Sequence, residues 1–344
     1  MKNWEKIRHN KQLKEIQTKR SLIIDVIRNF FKKRGFLEMH TPILVKHPGM
    51  EPYLTPFKVD LSNENNKRFK GYLITSPEYS LKKMISSGFT KVFEITRAFR
   101  SHESFGGLHN PEFMILEWYR AKANYFKIMK DTEDLTIELN RKINHSNYLT
   151  YQNQRINLKK PWLKMTVKQV FKKYTGINLD KAKNIASFRK LAQDKGYRIS
   201  KSDTWDDIFY QIFLNEIEPN LDKNRPIIIY QYPLPQAALA KRLNKKSFYA
   251  ERFEVYIGGV ELANAFSELT DPNEQLKRLK EEQKLRQKLH KERIEIDKDF
   301  IRALRLGLPP SGGIALGLDR LMMLLLNIKD INNLLPFPAN DIFN

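Results

Sequence analysis

The chain has 344 residues, 41% of them hydrophobic, and its 61 Lys and Arg against 39 Asp and Glu give a formal charge of +22. It contains no cysteine, which excludes disulfides and cysteine-ligated zinc. The longest apolar run near the end, Leu321 to Leu326, is far short of the roughly 20 residues that cross a bilayer, and the polar start Met1-Lys2-Asn3-Trp4-Glu5 lacks a signal peptide's apolar stretch. A cytoplasmic location follows as the expectation, without a membrane partner. The basic field favours a polyanionic or acidic partner, although the excess of lysine over arginine is also what an AT-rich genome yields.

Residues 1–20 are basic and begin the first helix. Ile23, Ile24, Ile27, Phe30 and Phe31 continue it as an apolar stripe, and Gly35 after Lys32-Lys33-Arg34 ends it with cations at its negative pole. Phe36 to Thr41 reads as a strand stopped by Pro42. Residues 62–71 read as a polar turn and 72–75 as a short strand. Thr75-Ser76-Pro77-Glu78 is a helix start, with a hydroxyl cap, a proline and an acid at the positive pole. Helical patterns recur at 166–174 and 205–217, and Ile227 to Tyr230 reads as a buried strand. Residues 272–305 read as a charged surface helix pair, because the sparse Leu276, Leu279, Leu285 and Leu289 cannot line a deep core. No repeat and no linker divides the chain. The expectation is one α+β domain over 1–344 with an antiparallel sheet, in which 1–20 is a basic N-terminal extension and 272–305 a charged helical insertion.

Between residues 94 and 120 two β-patterned runs flank a polar, glycine-containing loop. Arg100 closes the first run; the second carries Glu112 and Glu117. Such a hairpin can hold a nucleotide triphosphate over a carboxylate-lined pocket, with the Arg100 guanidinium binding phosphate oxygens bidentately. Arg320 follows a glycine-rich run at the start of an apolar helix, where its charge and the helix pole both favour an anion. For either arginine the alternative is a salt bridge. Glu117 and Tyr119 share a strand face with Phe113 and Ile115. An acid and a phenol on an apolar face suit a buried ammonium group, with Glu268 as a second acid; the alternative is an internal pair of Glu117 with Arg97 or Arg120. For Glu78 the alternative is the acid of a capped first turn. Trp118 and Phe266 read as core.

Arg252 to Ile257 and Val260 to Phe266 alternate about Gly258-Gly259, a two-residue hairpin signal. That loop sets Ile257 opposite Val260, Tyr256 opposite Glu261 and Glu254 opposite Ala263. Glu254 and Glu261 then project from one face as diagonal neighbours, about 7–8 Å apart. Two carboxylates there repel unless a cation sits between them, and all-oxygen ligation suits magnesium. The alternative is neutralisation by Arg252 or a lysine in an ordinary surface sheet. The same parity puts Asn264 on the face opposite Glu261, unless a bulge intervenes.

Six strings occur in order: Thr75-Ser76-Pro77-Glu78-Tyr79, His109-Asn110-Pro111-Glu112-Phe113, Leu116-Glu117-Trp118-Tyr119, Glu251-Arg252-Phe253-Glu254, Glu261-Leu262-Ala263-Asn264 and Gly317-Leu318-Asp319-Arg320. Over roughly residues 20–338 the chain resembles the catalytic domain of the class II lysyl-tRNA synthetase family and its truncated, protein-modifying relatives. Residues 94–120 are similar to motif 2, and Gly312 to Arg320 to the second half of the catalytic signature. Helix, glycine, strand and proline at 23–42 resemble motif 1, which implies a homodimer.

The resemblance implies catalysis by Arg100, Glu254, Glu261 and Arg320. ATP would be bound by Arg100, Glu103, His109, Asn110 and Arg320, with Mg2+ held by Glu254 and Glu261. Ser76 and Glu78 would face the substrate's amino and carboxyl end. Glu117, Tyr119 and Glu268 would bind its distal ammonium, Asn264 would lie near its carboxylate and Ala315 would form the pocket floor. The loop Ser101 to Leu108 looks one residue longer than is usual in the family, and Asn264-Ala265-Phe266 stands where Asn-Gly-Phe is usual.

Three features favour the protein-modifying relatives. Only about 20 residues precede motif 1, too few for an anticodon-binding OB barrel of five strands. Leu116-Glu117-Trp118-Tyr119 carries a tryptophan that the synthetases typically lack. Ala315 stands where they usually have glycine. The implied reaction activates (R)-β-lysine, or lysine, as an adenylate and transfers it to a lysine ε-amine of elongation factor P, an acidic protein; tRNA is not expected as the acceptor. The alternatives are tRNA charging with α-lysine and a catalytically idle nucleotide-binding paralogue.

Overall fold

The computed structural model describes residues 2–344. Its frame is an eight-stranded sheet. In chain order the strands are β1 (Leu37–Glu38), β2 (Lys91–Phe99), β3 (Glu112–Ala121), β4 (Leu163–Thr166), β5 (Ile227–Tyr230), β6 (Arg252–Ile257), β7 (Val260–Ser267) and β8 (Ser311–Gly317). Their spatial order is β1-β2-β3-β8-β7-β6-β5-β4. The central pairs are antiparallel; β1 runs parallel to β2 and β4 to β5. This is the expected α+β class with an antiparallel sheet.

One sheet face is covered by helices Lys11–Lys32, Tyr125–Asn144 and Leu318–Leu325. The first follows the expected stripe: Ile23, Ile27, Phe30 and Phe31 are fully buried, while Ile24 packs at the margin. Asn10 caps its start by accepting from the Leu13 N–H at 3.1 Å. Gly35 takes φ +74°, and the Phe36 N–H returns to the Phe31 carbonyl at 3.1 Å, a glycine-stopped helix end. Leu116, Trp118, Phe253, Val255, Ile314 and Leu316 meet these helices from the sheet. Trp118 is core, as expected, its ring tilted against Phe31 at 5.1 Å.

The other face is covered only at its two ends. At one end, helices Val167–Thr175 and Trp205–Ile212, with the turn Phe213–Ile217, pack on Ile227, Ile229 and Tyr256. At the other, helices Glu78–Ser86, Pro272–Lys288 and Lys298–Gly307 pack on Val92 and Tyr119. The strip between them is a cleft over β3, β8, β7 and β6.

Several local expectations need correction. The strand foreseen over 36–41 shrinks to Leu37–Glu38, because both the N–H and hydroxyl of Thr41 bond the Glu94 carboxylate (2.8 and 2.9 Å) in place of a ladder partner. The turn at 62–71 is instead part of an exposed hairpin, Lys58–Ser62 with Arg68–Leu73. Leu279 is 1% exposed and joins a core with Phe300, Ile301 and Leu304, so residues 272–305 are more than a surface pair. Residues 3–20 form a short helix, Asn3–His9, and the start of Lys11–Lys32, and are pinned: the side chain of buried Asn3 donates to the Leu335 carbonyl at 3.0 Å, and its N–H bonds Asp341 at 2.6 Å.

Candidate active site

Strand register aligns the site residues in two rows across the cleft. Glu117, Ala315, Asn264 and Glu254 form one row, each paired with the next, and Tyr119, Gly313, Phe266 and Arg252 form the adjacent row. Paired residues share a face. A bulge between Val255 and Tyr256 makes this possible: Ile257 pairs Val260 and Tyr256 pairs Glu261 as expected, but Glu254 pairs Asn264 and not Ala263. The extra residue, Leu262, reverses the parity and brings Asn264 onto the face of Glu254 and Glu261. The Arg252 Nε–H then donates to Asn264 Oδ1 at 2.9 Å.

At one end of the cleft lies an apolar-walled pocket of acids. Glu117 is fully buried. Its carboxylate accepts from the hydroxyls of Ser76 (2.5 Å) and Tyr119 (3.0 Å). Neither arginine foreseen as an internal partner reaches it: Arg97 pairs with Glu112 at 2.8 Å and Arg120 with Asp131 at 2.7 Å. Burial, then the nearby Glu78 charge, pushes its pKa well above the ordinary value. A carboxyl held this way favours a cationic ligand.

Glu268 and Glu78 do have an internal cation, the buried Lys82, which bonds Glu78 Oε1 and lies 2.6 Å from Glu268 Oε2. Gly313 forms the wall between Tyr119 and Glu268. A Cβ there would lie 2.3 Å from both Glu268 Oε1 and Tyr119 Cε1, so only glycine lets the two close in. Ala315 sits in the row between Glu117 and Asn264 and lines the cavity.

At the other end, Arg100, Glu261 and Arg320 line the same cavity of about 440 Å3, with Ser76, Glu78, Glu103, His109, Asn110 and Tyr119 also on its walls. The Arg100 guanidinium lies 4.9 Å from the Phe113 ring centroid, and its buried Nε has no partner. Arg320 is steered by the Glu261 carbonyl (2.9 Å) and by His109 Nε2 (3.0 Å). His109 also lies 3.9 Å from Glu103; burial and then Arg320 lower its pKa, keeping the ring neutral. Two guanidiniums converging on one cavity disfavour each other, and an anion between them relieves this.

Asn110 differs from expectation. Its amide donates to the Glu112 carbonyl at 2.6 Å and its oxygen accepts from the Ala339 N–H at 2.9 Å. Both ends are engaged with backbone, so its geometry is that of a brace tying the hairpin to the C-terminal helix Ala339–Phe343.

Glu254 stands just behind the cavity wall. It accepts from the hydroxyls of Tyr232 and of Tyr256 (2.7 Å), and from Arg252 at 2.5 Å. The Arg252 pairing foreseen as an alternative therefore exists, but in the interior and not on a surface sheet. Glu261 is different. Its nearest cation is Arg320 at 3.9 Å, and 43% of its side chain opens onto the cavity. Burial, then the Glu254 charge, pushes its pKa up to about 7. No group of three or more His, Cys, Asp or Glu that could enclose a metal occurs among the described residues. A dedicated cage is thus excluded there. A cation that completes its shell with water and phosphate still fits, because Glu261 is only weakly neutralised by Arg320 and feels the Glu254 charge behind it.

A model of the class II tRNA synthetases (D, K and N) matches residues 2–341. The chain belongs to this family. Among its class II relatives, a lysine--tRNA ligase of Buchnera aphidicola subsp. Cinara cedri is 41% identical over 337 residues, 96% of this chain and 64% of the relative. One from Carboxydothermus hydrogenoformans is 35% identical over 334 residues, 96% of this chain and 66% of the relative. The chain thus spans about two thirds of these ligases. An elongation factor P--(R)-beta-lysine ligase of Buchnera aphidicola subsp. Acyrthosiphon pisum is 37% identical over 327 residues, 94% of each chain.

Within this class II frame, the cleft gathers residues that the sequence strings carried separately, from Ser76 to Arg320. Sequence reasoning missed Lys82, Tyr232, Tyr256 and Gly313. Lys82 had one available signal, its i,i+4 spacing from Glu78, which ordinarily marks a solvated pair. The strand β5 was legible, but the convergence of Tyr232 and Tyr256 on Glu254 comes from strand pairing and the bulge, which no local pattern announces.

Proposed function

We propose that the protein is an ATP-dependent ligase that activates a lysine-type amino acid, preferentially (R)-β-lysine, and transfers it to a lysine ε-amine of elongation factor P. The observation that carries the activation step is the fully buried, cation-free Glu117 beside a cavity whose far end presents Arg100 and Arg320. One end suits an ammonium, the other a polyphosphate.

The substrate's distal ammonium is received by Glu117, Tyr119 and Glu268, and its other amino group by Ser76 and Glu78. Arg252 turns Asn264 toward the carboxylate. That carboxylate attacks the α-phosphorus of ATP, pyrophosphate leaves, and an aminoacyl-adenylate remains. Arg100 stabilises charge at the α-phosphate and Arg320 holds the leaving phosphates, so catalysis is positioning and charge stabilisation. Glu254 and Glu261 would hold Mg2+, which supplies further neutralisation of phosphate charge. In the second step the acceptor amine attacks the acyl carbon, AMP leaves, and the amine's proton passes to solvent.

Ala315 at the pocket floor supports a substrate with a shifted amino group, and the ligase relative matched along 94% of both chains supports a protein acceptor. The charge of +22 suits an acidic partner. A homodimer in the cytoplasm remains the assembly expected of this class. The competing reading, tRNA charging with α-lysine, draws on the 41% identity to a lysine--tRNA ligase. The experiment offers the full chain ATP, either lysine isomer, and elongation factor P or tRNA. A mass gain of one lysyl group on the factor with (R)-β-lysine is expected. Charged tRNA with α-lysine and an unmodified factor would replace this reading by the second.

A further inference from the structure

Lys82 has no part in the steps above, yet it is buried directly against two acids of the amino-acid end of the cleft, Glu78 and Glu268. It is 1% exposed, and its ammonium also sits 5.1 Å from the Phe266 ring and 5.7 Å from the Phe300 ring. A lysine at such depth is unusual, and an ordinary core position would hold an apolar side chain. Its two partners come from distant parts of the chain, Glu78 on its own helix and Glu268 beyond β7. On each it takes one oxygen: Oε1 of Glu78, and Oε2 of Glu268 at 2.6 Å. Glu268 Oε1 is buried with no partner, on the side where Gly313 leaves room.

We propose that Lys82 is a positioning residue for amino-acid selection: it bridges Glu78 and Glu268 as their shared counter-ion and turns their other oxygens toward the substrate's ammonium groups. The proposal rests on the reading of this cleft as a lysine-type activating site. The physical reason is like-charge repulsion. Two neighbouring buried carboxyl groups without a counter-ion do not both ionise; one keeps a proton and becomes a donor. Burial, against the opposing charge of Lys82, leaves the Glu268 pKa raised to about 8, and the Glu78 charge adds to the rise; Lys82 and the arriving ammonium together draw its proton off. A protonated acid offers an O–H to the substrate's N–H groups, a donor facing a donor. Lys82 thus supports ammonium recognition without touching the substrate.

The test is Lys82→Met, close in length and uncharged, in amino-acid-dependent pyrophosphate exchange. The substrates are both lysine isomers and an analogue whose terminal ammonium is replaced by methyl. The amino-acid KM is expected to rise at least tenfold, the preference for the ammonium-ended substrate to fall at least tenfold, and the KM for ATP to stay within twofold. If Lys82→Met is unstable, Lys82→Met with Glu268→Gln removes the unpaired acid. It is then compared with Glu268→Gln alone, and a further loss of at least threefold, acting through Glu78, is expected. A folded Lys82→Met enzyme with unchanged amino-acid KM and preference, or ATP and amino-acid KM values rising together, would overturn the proposal. So would a double variant no weaker than Glu268→Gln. Wild-type exchange with neither lysine isomer would overturn the underlying functional reading, and this proposal with it.

Discussion

Replacing Glu117 by Gln separates recognition from stability, because the two move in opposite directions. Glu117 is fully buried and is held by two hydroxyls. Gln keeps the shape and can still exchange hydrogen bonds with both. What is lost is the charge that the carboxyl takes on when the substrate's ammonium arrives. A hydrogen bond to a charged group contributes about 1.5–3 kcal/mol, so the amino-acid KM should rise roughly 10- to 150-fold, with the KM for ATP unchanged.

Stability follows proton linkage. Burial raises the Glu117 pKa in the folded state. Between the unfolded value and that raised value, the folded chain holds a proton that the unfolded chain lacks. Its contribution is therefore most favourable at low pH and is lost as pH rises toward the folded value. Gln carries no such loss. The variant should match wild type near pH 5 and be as stable or more stable at pH 8, as read by urea denaturation. An amino-acid KM within threefold of wild type, or a variant clearly weaker at pH 8, would refute this reasoning.

Other consequences are as direct. Gly313→Ala drives a Cβ into Tyr119 and Glu268; overpacking of this kind costs about 1–3 kcal/mol, so the urea midpoint should fall and the amino-acid KM should rise. Burial and then the Glu254 charge push the Glu261 pKa up to about 7, so it takes up a proton as pH falls. Half-saturation by Mg2+ should therefore need about tenfold more metal at pH 6 than at pH 8, and Glu261→Gln should abolish that dependence in the same titration. Ala315→Gly removes one methyl from the pocket floor, an effect of about 1–3 kcal/mol. It should shift the kcat/KM ratio toward α-lysine in exchange assays with the two isomers.

Much of this was legible in the sequence because it is local. The stripe from Ile23 to Phe31, the helix start at Glu78 and the hairpin about Gly258-Gly259 all depend on neighbours a few residues apart. The register was readable only as far as Tyr256 and Glu261. A bulge has no residue signature of its own here, and one extra residue moved Asn264 to the other face. The alternative of an arginine partner for Glu117 fails for a related reason. Arg120 lies on the opposite strand parity and meets Asp131 on a helix, while the true partners, Ser76 and Tyr119, are hydroxyls rather than cations. The Lys82 pair could be seen on its helix, but only Glu268, brought in by β7, makes it a buried trio. The exposed hairpin at 58–73 escaped because its second strand begins with three exposed residues and so lacks an apolar alternation.

The central claim is that one cleft joins a diamino acid to a nucleotide at the α-phosphate, and exchange of labelled pyrophosphate into ATP measures this most directly. The account predicts exchange that requires a lysine-type amino acid, is faster with (R)-β-lysine than with α-lysine, and is lost in Arg100→Ala. Exchange that proceeds equally without amino acid, or that survives intact in Arg100→Ala, would contradict it.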